Sequence, residues 1–195
     1  AGGIAILSAP YYRPGFDPRT LKEVEGAGLM DIFNAHPAIG EGDPGKSNFE
    51  DLWDEILSSG KTVFGTAPDD CHNYREFGAD KSNPGRAWVV VRAPELSEDA
   101  IMESLASGDF YASTGVILND LKTSEESVSL QIEQNTIQSY KTTFTGRDGA
   151  VLAEESGLEV SYRIRGDEGY VRARVTSSDG ARAWTQPVEA RASSS

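Results

Sequence analysis

The sequence predicts an α/β portion over residues 1–115, a small antiparallel β-sandwich over residues 116–191, and a disordered tail at 192–195. Two observations set that division. Short apolar runs alternate with stretches of helical period before residue 115, and the period switches to two after it. The charge balance shifts at the same place, from 9 basic and 19 acidic side chains to 9 and 12. Strands separated by helical segments imply a largely parallel sheet covered by helices, as in an α/β layer or barrel.

The elements follow in order. Ile4–Leu7 reads as a strand cut off by Pro10, and Thr20–Glu25 as a short helix. Leu29–Phe33 is the next strand, followed by a Gly- and Pro-rich loop from Pro37 to Lys46. Phe49, Leu52, Trp53, Ile56 and Leu57 form one stripe, so Phe49–Leu57 is an amphipathic helix. Ser47 is the expected N-cap with Glu50 at the capping-box position, and Gly60 stops the helix. Strand Lys61–Gly65 follows at once, then a polar loop from Asn73 to Gly85 and the apolar strand Ala87–Val91. Helix Ser97–Ala106 is capped by Ser97 and ended by Gly108, with a short strand Phe110–Ser113 behind it. Beyond residue 115, Val128–Ile132, Tyr140–Phe144, Leu158–Ile164 and Tyr170–Val175 alternate, with turn signals at Gly146–Gly149, Gly166–Gly169 and Ser178–Gly180. In the last strand Arg172 and Arg174 are expected outside and Val171, Ala173 and Val175 inside.

Composition narrows the function. The 195 residues carry a net charge of −13, which leaves no basic surface to displace counterions from a nucleic acid. No nucleic-acid partner is expected. No apolar run reaches the roughly 18 residues of a spanning helix, and no membrane partner is expected. Cys71 is the single cysteine, so an internal disulfide is impossible. The start, with neither initiator Met nor basic n-region, reads as processed or excised. Two placements are compatible with this: cytoplasmic or, where a targeting segment has been removed, periplasmic or secreted.

The chemistry gathers after two strand ends. Strand Lys61–Gly65 leads into Thr66-Ala-Pro-Asp-Asp-Cys-His72. Asp70 and His72, spaced Asp-x-His, face one way in extended backbone and can turn toward one ion. Asp69 stands next to them to orient or bridge. The second histidine, His36, also follows a strand, and parallel sheets gather ligand loops at their C-terminal ends. The other reading of the same residues is loop capping by Asp69 or Asp70 with a structural His72.

These residues also carry a resemblance. Asp31-Ile-Phe-Asn-Ala-His-Pro37, then Phe49…Leu52-Trp-Asp54, then Val63-Phe-Gly65…Asp69-Asp-Cys-His72, resembles the C-terminal half of a PHP (polymerase and histidinol phosphatase) domain. Trp88-Val-Val-Val-Arg92 and Leu105-Ala-Ser-Gly-Asp-Phe-Tyr-Ala-Ser-Thr-Gly115 are similar to that family's last barrel segment, and Tyr170…Pro187 to the β-sandwich appended in a bacterial subgroup. The resemblance implies a partial PHP-like (β/α) barrel followed by the sandwich. It also implies a divalent metal (Zn, Mn or Fe) and hydrolysis of a small anionic or phosphorylated substrate. It makes Asp70, His72 and Asp31 the metal residues. His36, Asp69 and Arg75 form the catalytic set: His36 as a phosphate or water contact, Asp69 as an orienting carboxylate, and Arg75, in the same loop, as an anion contact. The chain departs from the family pattern twice. The opening His-x-His segment is absent, and Ala9 in Ser8-Ala-Pro10 stands where the family has a ligand histidine. The expected function is a phosphoesterase complete in assembly, with a homo-oligomer or a complementary chain closing the barrel. The alternatives are a non-catalytic PHP-derived binding or structural module and a hydrolase of a non-phosphate ester.

Other residues take structural readings. Trp53, Trp88 and Trp184 are expected in packing, and Cys71 as a small buried apolar group. Asp43, Asp51 and Asp54 are expected to be exposed charges. Arg13 is a loop arginine on the presumed active face. Gly40–Lys46 lacks the GxxxxGK[ST] spacing of a phosphate-cradling loop.

Overall fold

Alternation along the strand Tyr170–Ser177 organises the molecule, because its two faces enter two different cores. Val171, Ala173 and Val175 enter one core, whereas Tyr170 enters the other and Arg172, on that same face, is equally buried. This computed structural model describes residues 3–8, 18–39, 48–135 and 137–190.

The chain runs β1 (Ala5–Leu7), a 3-10 helix (Pro18–Glu23), β2 (Ala27–Asp31), α1 (Phe49–Ser58), β3 (Phe64–Thr66), β4 (Trp88–Val91), α2 (Glu98–Ser107) and β5 (Phe110–Ser113). It continues through β6 (Leu118–Thr123), β7 (Ser127–Ile132), β8 (Tyr140–Thr145), β9 (Val151–Ser156) and β10 (Glu159–Arg163). The last strands are β11 (Tyr170–Ser177), β12 (Arg182–Thr185) and β13 (Val188–Glu189). Among the described residues three sheets result: a parallel sheet β1-β2-β3, an antiparallel sheet β10-β7-β6, and a seven-stranded sheet β4-β5-β12-β11-β8-β9 with β13 also on β11.

The expected α/β class and its partial (β/α) barrel are therefore corrected: among the described residues the chain is mostly β, with three sheets and two α-helices. Three parallel strands form an open sheet, and β4 and β5 pair antiparallel to each other, Val91 opposite Phe110, inside the larger sheet. The cause lies in α2. A crossover helix that covers a parallel sheet needs an apolar stripe, and α2 buries only Ala100 and Ser104. It serves as the long connection of an antiparallel pair. Hydrogen bonding consequently runs across residue 115, since β5 pairs with β12.

The seven-stranded sheet is the middle layer. One face packs on β6, β7 and β10 through Val128, Leu130, Ile132, Phe144, Val160 and Tyr162. The other face receives α1 and the parallel sheet around Met30, Ile32, Trp53, Ala112 and Trp184. Helix α1 buries the expected stripe, but its cap is Asn48, whose side chain accepts from the Asp51 amide while the Asp51 carboxylate accepts from the Asn48 amide. Ser47 lies outside the described residues, as do Ala9, Arg13, Asp43 and the tail from 191. Ser97 caps α2, and Gly108 ends it at φ 79°. Trp88 is 36% exposed on β4, an edge of its sheet, contrary to its packing assignment.

Two polar devices lock the parallel sheet and α1 to the large sheet and its connections. On the edge strand β3, Gly65 donates its N–H to Gln186 Oε1 (2.7 Å), and Gln186 Nε2 donates back to the Gly65 carbonyl (3.0 Å). An amide side chain thus replaces a neighbouring strand. The second device is the charge cluster under α1. Arg172, only 3% exposed, donates to both carboxylate oxygens of Asp54 (2.7 Å each) and to Glu50 (3.1 Å), and lies 5.0 Å over the Trp53 ring. Tyr170 donates to Asp54 (2.6 Å), and Arg174 to Glu50 (3.0 Å). Asp54 and Arg172 are thus buried, not exposed as their positions in the pattern suggest, and each is buried because the other is there.

Candidate functional site

Parallel pairing of β2 and β3 puts Asp31 opposite Thr66, so the chain leaves both strands at one end of the sheet. The segment after β2 carries Asn34 and His36; the segment after β3 carries Asp69, Asp70, Cys71 and His72. The Ala35 amide donates to the Pro68 carbonyl (2.9 Å) and holds the two segments side by side.

Asn34 is the joint between them. It is buried, donates Nδ2 to Asp70 Oδ2 (3.2 Å), and accepts the His36 amide at Oδ1 (2.9 Å). The second bond is an Asx-turn, which the order Asn-x-His allows and which the sequence reading passed over. Asp70 adopts a left-handed backbone, φ 49°, so the Asp-x-His pair does not lie in extended chain. Its carboxylate nevertheless meets His72, Oδ1 to Nε2 3.2 Å, with the His72 side chain 67% exposed.

His36 faces His72 edge to face at 5.7 Å between ring centroids. Its Nδ1 accepts the Ala38 amide (3.1 Å). A neutral imidazole whose Nδ1 accepts carries its proton on Nε2. His36 is thereby set as a hydrogen-bond donor at Nε2.

The remaining site residues are placed differently. Asp31 is buried, 2% exposed, and its two oxygens accept from the Ser8 hydroxyl (2.7 Å) and the Thr66 hydroxyl (2.9 Å). Asp69 accepts the Gly85 amide (2.8 Å), which fastens the far end of the long loop. Arg75 is exposed in that loop, and Cys71 is half-buried with its thiol 3.7 Å from the Asn73 carbonyl. The loop itself is built on two buried polar residues. Ser82 takes the amides of His72 and Asn73, and Asn83 donates to the Asn73 and Glu76 carbonyls (2.9 and 2.8 Å).

Asp70 and His72 are two side chains of metal-ligating type, and here they meet each other as a hydrogen-bonded pair. Two donors at roughly 2.0–2.2 Å from one tetrahedral ion stand about 3.3–3.6 Å apart, close to the observed 3.2 Å. Among the described residues no three His, Cys, Asp or Glu side chains are placed to hold one ion.

The arrangement is that of a mostly β protein with an acid–imidazole pair at the end of a short parallel sheet. No family model matches the chain. No curated protein matches it either. Among solved structures it is similar to a two-domain protein from Bacteroides vulgatus ATCC 8482 containing a predicted PHP-like metal-dependent phosphoesterase. The identity is 16% and the TM-score 0.36, a distant likeness that spans 94% of this chain and 61% of that one.

Proposed function

We propose that the chain is a PHP-like phosphoesterase module that uses a divalent ion, zinc, manganese or iron, to act on a small phosphorylated substrate. The observation that carries this reading is the Asp70–His72 pair, a carboxylate and an imidazole already within hydrogen-bond reach of each other, beside a histidine that presents an N–H. Asp70 and His72 would hold the ion. Asp31, beneath them with Ser8 and Thr66, supports the strand ends. A bound ion would polarise a phosphoryl oxygen and lower the pKa of a coordinated water. His36 Nε2–H donates to a phosphate oxygen and stabilises the charge that builds there. Arg75 adds a positive charge on the loop side, and Asp69 keeps that loop in register through Gly85.

A non-catalytic binding module is the second reading, favoured by the want of a third donor among the described residues. Zinc and manganese titrations of wild type, His72→Ala and Cys71→Ala separate the two. The phosphoesterase reading expects near-stoichiometric metal, affinity reduced by at least ~10-fold in His72→Ala, and no change in Cys71→Ala. It also expects cleavage of p-nitrophenyl phosphate that chelation abolishes. His36→Ala should weaken phosphate binding and leave metal content intact. Equal metal affinity in wild type and His72→Ala overturns the metal assignment. Metal binding without ester cleavage supports the non-catalytic module.

A further inference from the structure

The loop that follows the acid–imidazole pair carries two rings that the fold holds in water. Tyr74 is 71% exposed and Phe77 70%, an unusual state for large aromatic side chains, which normally contribute most when buried. The loop does not leave them there by slackness. Asn83, 4% exposed, spends both ends of its amide on this segment: Nδ2 on the Asn73 and Glu76 carbonyls, Oδ1 on the Gly78 amide (3.0 Å). Ser82, 2% exposed, takes the His72 amide on its hydroxyl as well as on its carbonyl (3.0 Å each). Arg86 adds hydrogen bonds to the Gly78 and Ala79 carbonyls. Residues 72–79 are therefore braced from beneath, and their conformation is prepared before anything binds.

The Tyr74 ring is also aimed. Its hydroxyl donates to the Cys71 carbonyl (3.3 Å), which ties the ring's edge to the residue between Asp70 and His72 while its surface stays open to solvent. Arg75, exposed between the two rings in sequence, places a cation in the same loop. An open ring tied to Cys71, a cation in the same loop and a histidine against His72 match a ligand that is both planar-aromatic and anionic.

We infer that Tyr74, with Phe77 three residues on in the braced loop, selects for aryl phosphate esters by stacking on the aromatic group carried by the phosphate. This inference rests on the phosphoesterase reading of the same site and adds the substrate class. It makes Tyr74 a specificity residue: its contribution falls on the organic part of the ligand, and the phosphate is left to His36 and the Asp70–His72 pair.

The test is a calorimetric comparison of phenyl phosphate with methyl phosphate in zinc-supplemented buffer, on wild type, Tyr74→Phe, Tyr74→Ala and Tyr74→Ala/Phe77→Ala. Wild type should bind phenyl phosphate about 3- to 10-fold more tightly than methyl phosphate, the range of an aromatic pair. Tyr74→Phe should keep that preference, Tyr74→Ala should lose most of it, and the double variant should bind both esters alike. Affinity for methyl phosphate should be unchanged throughout, because Tyr74 and Phe77 are surface side chains whose removal leaves the Asn83 and Ser82 bonds intact. Equal binding of the two esters by wild type, or a preference that survives the double variant, overturns the inference and leaves the phosphoesterase reading standing. Failure of wild type to bind either ester overturns both.

Discussion

Arg172→Met removes one member of the buried charge cluster and leaves the other members in place. Arg172 gives Asp54 two hydrogen bonds of 2.7 Å and Glu50 one of 3.1 Å. After the substitution Glu50 keeps Arg174 at 3.0 Å, but Asp54 keeps only the Tyr170 hydroxyl at 2.6 Å as its donor among these residues. A carboxylate that is 5% exposed then faces an apolar layer without a counter-charge. Breaking a buried pair from one side costs about 3–5 kcal/mol. For a chain of this length that corresponds to a fall of roughly 6–20 °C in Tm. Met is close to the arginine stem in volume, so the loss measures the charge and its hydrogen bonds more than a cavity. The assay is urea unfolding followed by tryptophan fluorescence, since Trp53 and Trp184 are both fully buried and Trp53 lies directly against the guanidinium. Asp54→Asn in the Arg172→Met background should recover most of the loss, because the neutral amide no longer needs a cation while still accepting from Tyr170. The two substitutions should couple by at least ~1 kcal/mol in a double-mutant cycle. An Arg172→Met protein within about 0.5 kcal/mol of wild type, or strictly additive effects, would refute the assignment of this cluster as a mutually dependent unit.

Three further outcomes follow from the same layers. Gln186→Ala leaves the buried Gly65 N–H and C=O without their partner, so stability should fall by about 1–3 kcal/mol; amide exchange at Gly65 should accelerate relative to the sandwich strands. Glu50 titrates below its ordinary value: burial by itself raises it, but the charges of Arg172 and Arg174 outweigh that effect. Its contribution is then fully present above the unfolded carboxylate value of about 4.3 and is lost as pH falls through the lower folded value. Acid titration of stability should steepen below that point in wild type and less so in Glu50→Gln. Gly108→Ala meets two obstacles, a backbone at φ 79° and a Cβ 2.4 Å from the Phe64 ring, and should cost about 2–5 kcal/mol. Gly180→Ala, at φ 91° with open space around the Cβ, should cost the backbone part alone.

What can be read from the sequence here is what neighbouring residues decide among themselves. The stripe Phe49–Leu57 specifies α1, Ser97 and Gly108 bound α2, and the period-two runs specify β7, β8, β10 and β11. The same holds for the site in part: Asp70 and His72 are near neighbours, and their segment follows a strand whichever sheet that strand joins. Partners distant along the chain decided the remainder. Whether a β-α-β segment closes parallel or antiparallel depends on what its helix can cover, and α2, with two buried residues, covers too little to act as a crossover. The side chain of Arg172 reads as a surface charge beside Val171 and Ala173 until α1 brings Asp54, 118 residues away, onto the same face. Asn34 and Gln186 look like ordinary polar residues, and only the close approach of β2, β3 and the β12–β13 connection turns them into joints. Charge, period and caps are local properties and survive in the sequence, whereas burial of a polar group is a property of the pair, and one half of the pair is always elsewhere in the chain.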